Sequence, residues 1–135
     1  MATLLLKTEP SEYAFGDLVR DKRTVWSGVT NAQALIAIRG ARKGDEAFIY
    51  HTGDEKRIVG LAQITSDAYA DPEGDDPKLA VFDLKPLRAA KTPVTLAQIK
   101  ADPAFAGFAL VKNSRLSVMV VPAELDRLLR RLAGL

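Results

Sequence analysis

"GDEAFIYHTGDEKRIVGLAQIT", residues Gly44 to Thr65, decides the fold class. Its first half alternates, with Ala47 and Ile49 on one face and Phe48 and Tyr50 on the other. Its second half, "RIVGLAQIT", is apolar on both faces. Between them "HTGDEK" (His51 to Lys56) is short and polar, with Gly53 and Asp54 at its tip. Apolar runs of this length joined by a glycine-bearing turn read as two antiparallel strands of a hairpin. Gly60 interrupts the second strand, where a glycine marks a bulge or the close approach of another group.

The hairpin needs partners on both sides. Toward the N-terminus, "TLLLK" (Thr3 to Lys7) is a short buried strand whose exit is broken at Pro10. Toward the C-terminus, "LAVFDLKPL" alternates and is expected to end before Pro86, and "RLSVMVV" (Arg115 to Val121) supplies a fifth strand. The polar stretch "SDAYADPEGDDPK" reads as an exposed loop. Helical segments fall between these runs. A turn is expected around Asp17 to Lys22. A helix follows from Asn31 to Arg39, capped by Thr30 or Asn31 and stopped by Gly40. "TLAQIK" (Thr95 to Lys100) carries a capping box, Thr95 with Gln98. In the last helix Pro122 suits the first position, and Leu125, Leu128, Leu129 and Leu132 form one stripe opposite Arg127, Arg130 and Arg131. Strands mixed with short helices, without regular βαβ alternation, predict an α+β fold: a small barrel or curved mixed sheet with helices packed around it, one domain over residues 1–135.

Composition narrows the function. The chain has 135 residues and no cysteine, which removes disulfides, thiol nucleophiles and thiolate metal sites and agrees with a cytoplasmic setting. Its one histidine, His51, cannot assemble a histidine metal site, and no metal or cofactor is expected. No apolar run approaches membrane-spanning length, so no membrane partner is expected. Nineteen basic against seventeen acidic residues give a net charge of +2, too little to demand nucleic acid by charge alone. Phosphate-cradling glycine loops are missing, as is the strained serine elbow of hydrolases.

The candidate residues each carry two readings. "VWSGVTNAQA" (Val25 to Ala34) holds the single tryptophan, Trp26, beside Ser27, Thr30 and Asn31. A lone indole is either a core residue or the stacking surface of a flat polar ligand whose edge is read by neighbouring hydroxyl and amide groups. His51 is a strand-end residue or a wall of such a site, with Tyr50 aimed at the opposite face. Lys7 is a strand-end charge or a phosphate contact. Arg115, after Ser114, packs its stem and offers its fork to a carboxylate or phosphate.

Four ordered stretches, "KTEPSEY" (Lys7 to Tyr13), "WSGVTNAQA" (Trp26 to Ala34), "GDEAFIYHT" (Gly44 to Thr52) and "SRLSV" (Ser114 to Val118), resemble the motifs of the EVE domain family across nearly the whole chain. The resemblance implies a PUA-like fold related to the YTH domains, which hold methylated adenine in RNA against a tryptophan. It also implies a non-catalytic reader of a modified base in DNA or RNA, with modified cytosine the leading candidate. In that picture Trp26 stacks and Ser27 and Asn31 hydrogen-bond. Lys7, Thr8 and Glu9 line the pocket, Tyr50, His51 and Thr52 close a side, and Ser114 and Arg115 complete it. The chain departs from the family pattern at Thr30, where arginine is usual, at Thr52, where serine is common, and at Leu125, where an aromatic is frequent.

Two other functions stay in view. Related amidohydrolases of the ASCH type act on acylated nucleosides with a Lys, a Thr and a Glu. Lys7, Thr8 and Glu9 offer those residue types, but strand alternation is expected to aim neighbours at opposite faces. The other alternative is a protein-interaction or small-molecule sensor domain using the same pocket.

Overall fold

A computed structural model describes all residues 1–135. Seven strands, β1 (Thr3–Thr8), β2 (Thr24–Trp26), β3 (Glu46–His51), β4 (Arg57–Ile64), β5 (Tyr69–Ala70), β6 (Ala80–Thr95) and β7 (Val118–Val120), form a curled half-barrel. Five helices pack around it: α1 (Phe15–Asp21), α2 (Ala32–Arg39), α3 (Leu96–Ala101), α4 (Ala109–Lys112) and α5 (Ala123–Ala133). This is the expected α+β, PUA-like architecture.

The hairpin of Gly44 to Thr65 sits at the middle of the sheet, whose order is β2-β6-β4-β3-β1-β7, with β5 on β6. β3 runs antiparallel to β4 and parallel to β1, so the chain between β1 and β3 must cross over. That crossover is α1, β2 and α2, and it builds the wall of the site described below. Both faces of β3 are covered: Ala47, Phe48, Ile49, Tyr50 and His51 are all buried. The core is one contiguous cluster running from Leu4, Leu5 and Leu6 through Phe48 and Phe82 to Leu129.

Curvature comes from bulges. The register of β4 shifts at Val59 against both neighbours, and again between Leu61 and Ala62 against β6. Gly60 is required by a close approach: a β-carbon there would lie 2.6 Å from the Phe15 ring. β6 does not end before Pro86 as expected but continues to Thr95. Pro86 pairs with Ala62 beside the extra residue Leu87, at an irregularity that tolerates a missing amide donor.

Other boundaries moved for equally local reasons. The strand expected from Arg115 is shorter, because Asn113 to Leu116 forms a turn and β7 has only Leu4–Leu6 of β1 to pair with. Pro122 is the residue before α5 rather than its first. On α5, Leu129 is buried and Leu125 and Leu128 pack on the core, while Leu132 is exposed. The helix Ala32–Arg39 and the capping box of Thr95 and Gln98 form where expected. β2, β5, α4 and a 3₁₀ turn at Pro103–Phe105 were not foreseen; each is four residues or fewer, too short for a period to show.

Candidate functional site

A cleft of about 500 Å³ opens between the exit of β1 and the segment joining β2 to α2. Small-molecule sites commonly fall between roughly 300 and 1,000 Å³. The first wall begins where β1 leaves the sheet at Thr8. There the amides of Glu12 and Tyr13 both donate to the Glu9 carbonyl at 2.9 Å. The Glu9 carboxylate accepts from the Ser11 amide and hydroxyl, and the Thr8 hydroxyl donates to the Tyr13 carbonyl at 2.6 Å. These bonds hold a tight turn whose Glu9, Glu12 and Tyr13 line the cleft.

The second wall is β2 and the loop after it. Trp26 pairs with Phe82, packs against the core, and also lines the cleft. Its half-buried ring therefore occupies both of the settings that the sequence left open. Gly28 follows with φ of +81°, a left-handed conformation that favours glycine, and it lets the chain reverse into α2. Asn31 then caps α2, its Oδ1 accepting from the Ala34 amide at 3.0 Å. That bond uses the oxygen alone and leaves the amide nitrogen without a protein partner, and Asn31 itself lines the cleft. Ser117, just before β7, closes the site from the third side.

The electrostatics are unusual for a phosphate site. Lys7 donates its ammonium to the Ser114 carbonyl at 2.9 Å and sits 5.9 Å from the centre of the Tyr50 ring. Burial pushes its pKa below the usual 10.5. The other charged groups lining the cleft are the carboxylates Glu9 and Glu12. Tyr13 donates its hydroxyl to Asp21 at 3.0 Å, and burial is the first cause that pushes its phenol above 10.0.

Of the residues singled out from sequence, Lys7, Thr8, Glu9, Trp26, Ser27 and Asn31 meet at this cleft. Lys7, Thr8 and Glu9 all line it, against the alternation expected of strand neighbours; Thr8, which alternation would turn to the other face, is the last residue of β1, where the turn begins. Tyr50, His51, Thr52, Ser114 and Arg115 do not line it. Tyr50 and His51 are buried, since both faces of β3 are packed. The His51 Nε2 accepts from the Phe15 amide at 3.0 Å, which places the ring proton on Nδ1, 2.9 Å from Glu55. His51 thereby satisfies an otherwise orphaned amide at the start of α1. Its hydrogen bond is also the main cause that holds the Glu55 carboxyl below its usual 4.5.

Thr52 donates to the Thr8 carbonyl and the Glu9 carboxylate, tying the β3–β4 loop to the first wall. Ser114 contributes its carbonyl to Lys7, and Arg115 lies exposed on the turn after α4. Tyr50, Thr52 and Ser114 thus contact residues that line the cleft, whereas His51 holds the start of α1. Glu12, Tyr13, Thr24 and Ser117 line it without having been singled out. Tyr13 and Ser117 lie inside "KTEPSEY" and "SRLSV", so the motifs carried the signal although the individual residues did not.

A family profile described as "EVE domain" matches residues 2–132. Thymocyte nuclear protein 1 of Homo sapiens is 30% identical over 72% of this chain and 55% of its own length. The chain spans about half the length of the curated relatives it matches. An NMR structure of a Rhodopseudomonas palustris protein is similar with a TM-score of 0.93 and 41% identity, covering 99% of this chain and 94% of that one. The crystal structure of the human THYN1 protein in complex with 5-methylcytosine-containing DNA is similar with a TM-score of 0.90 and 27% identity, covering 100% and 99%.

Proposed function

The chain belongs to the EVE domain family, and on that premise we propose that it is a non-catalytic module that binds nucleic acid carrying a modified base. The base enters the cleft and stacks on Trp26, and a modified cytosine in DNA is the leading candidate. The observation that carries this reading is the indole itself, anchored in the core yet lining an open cleft that Asn31, whose amide nitrogen has no protein partner, also lines. Stacking on such a ring contributes roughly 1–3 kcal/mol for any base. Taking a base out of a duplex costs a few kcal/mol, so hydrogen bonds and the burial of an added methyl group must supply the rest. The complex of a relative with 5-methylcytosine-containing DNA supports the choice of ligand.

The polar atoms of Lys7, Thr8 and Glu9 are all engaged with protein partners, which favours a holding role over general acid–base work. The test uses the single tryptophan as reporter. Oligonucleotides identical but for one 5-methylcytosine are titrated against the protein, following Trp26 emission. Saturable quenching that is tighter for the methylated strand is expected. Superimposable isotherms for the two strands refute the reading, and consumption of an acylated nucleoside would replace it with hydrolysis.

A further inference from the structure

The reading above leaves the sugar-phosphate backbone without a site. Three charged side chains line the cleft, one ammonium against two carboxylates, and the ammonium of Lys7 is committed to the Ser114 carbonyl. Thr30, also on the cleft, adds no charge. A phosphate brought into this space meets net negative charge and no free cation, so a nucleotide has to enter base first with its phosphates left outside.

Unpaired cations adjoin, along the chain, residues that line the cleft. Arg23 immediately precedes Thr24, which lines it, and Lys22 lies beside Arg23. On a separate segment Arg115 lies between Ser114, whose carbonyl holds Lys7, and Ser117, which lines the cleft. The side chains of Arg23 and Arg115 are exposed and make no hydrogen bond or ion pair, unlike Arg20, Arg57 and Arg130, each tied to a carboxylate. Asn113, two residues before Arg115, donates to Gln33 of α2, which fixes this turn to the helix that Asn31 caps.

We infer that the cleft excludes phosphate and that Arg23 and Arg115 grip the nucleic-acid backbone on either side of the inserted base. The inference rests on the proposed reading of the cleft. It divides the labour: side chains inside the cleft set which base is held, and the two arginines set affinity for the strand whatever its bases. Arg127 and Arg131 on α5 are also unpaired, but they do not line or adjoin the cleft, and they serve as the control.

The experiment measures the salt dependence of binding to a single-stranded oligonucleotide, with and without one 5-methylcytosine, for the whole chain, the double variant Arg23→Ala/Arg115→Ala, and the control Arg127→Ala/Arg131→Ala. Each phosphate contact adds about 0.7 to the slope of log K against log salt for a single strand. Loss of about 1.4 from the slope in the first variant, with the methylated-to-plain ratio retained and the control unchanged, is the expected result. The free nucleoside 5-methyldeoxycytidine should also bind at least as tightly as its 5′-monophosphate. An unchanged slope, a slope that falls in the control instead, or a monophosphate preferred by about tenfold or more overturns the inference. In the first two cases a retained methylated-to-plain ratio leaves the reading of the cleft standing. A slope that falls as expected with no preference for the methylated strand removes that reading and keeps the grip, and absence of any binding refutes both.

Discussion

Asn31 carries two separable roles on one side chain, and substitution can split them. Its Oδ1 accepts from the Ala34 amide at 3.0 Å and caps α2, an eight-residue helix that buries Ala34, Leu35 and Ile38. Asn31 lines the cleft, and its amide nitrogen has no protein partner. Asn31→Ala removes both groups, whereas Asn31→Ser keeps a capping oxygen and removes the amide donor. Loss of the cap costs about 1 kcal/mol, which at this chain length lowers Tm by roughly 3–5 °C. Loss of one donor to a bound base is worth about 0.5–1.5 kcal/mol net, or roughly a 2- to 13-fold rise in Kd. The serine variant should therefore melt with the parent yet bind the 5-methylcytosine strand more weakly, and the alanine variant should lose on both measures. Thermal unfolding and Trp26 titration of the same three samples decide it. Equal binding by Asn31→Ser and the parent would show that the amide does not touch the base. Equal stability of the two variants would show that the capping bond adds nothing to the fold.

Thr30→Arg places a cation on a cleft that has none to spare, so oligonucleotide binding should tighten and the salt slope should steepen by about 0.7 per phosphate gained; an unchanged slope contradicts this. Gly60→Ala would set a methyl group 2.6 Å from the Phe15 ring. Overpacking of this kind costs about 1–3 kcal/mol. Urea denaturation should show that loss, with part of it recovered when Phe15→Leu is added, and a neutral Gly60→Ala would mean that the ring yields freely. Tyr69 donates to Asp83 at 2.6 Å, the main cause that pushes its phenol from 10.0 up to about 12. Because the folded pKa is the higher one, the bond contributes fully below pH 10.0 and is lost as pH rises toward about 12. Solvent screening at this exposed pair keeps that contribution small. Asp83→Asn should return the Tyr69 midpoint toward 10.0, followed by the ring resonances in NMR, and an unmoved midpoint refutes the assignment.

The sequence by itself determined those parts of the protein governed by local chemistry. The β3–β4 hairpin follows from the two apolar runs and the Gly53 turn, and α2 and α3 follow from Asn31, Gly40, Thr95 and Gln98. Trp26, Lys7, Thr8, Glu9, Ser27 and Asn31 were legible as one group only through the resemblance of the motifs that hold them to those of the EVE domain family, since the residues taken singly left core and site readings open. What the alternation of "EAFIYH" cannot tell is whether one face of β3 or both are covered. Only the assembled sheet, with β1 and β4 on either edge and helices over it, turns Tyr50 and His51 inward and makes His51 a partner of the Phe15 amide. The run of β6 through Pro86, the reach of Glu9 past the end of β1 and the exclusion of Arg115 from the cleft were settled in the same way. Each depends on which segment lies alongside, a contact between residues far apart in the chain that no local period records.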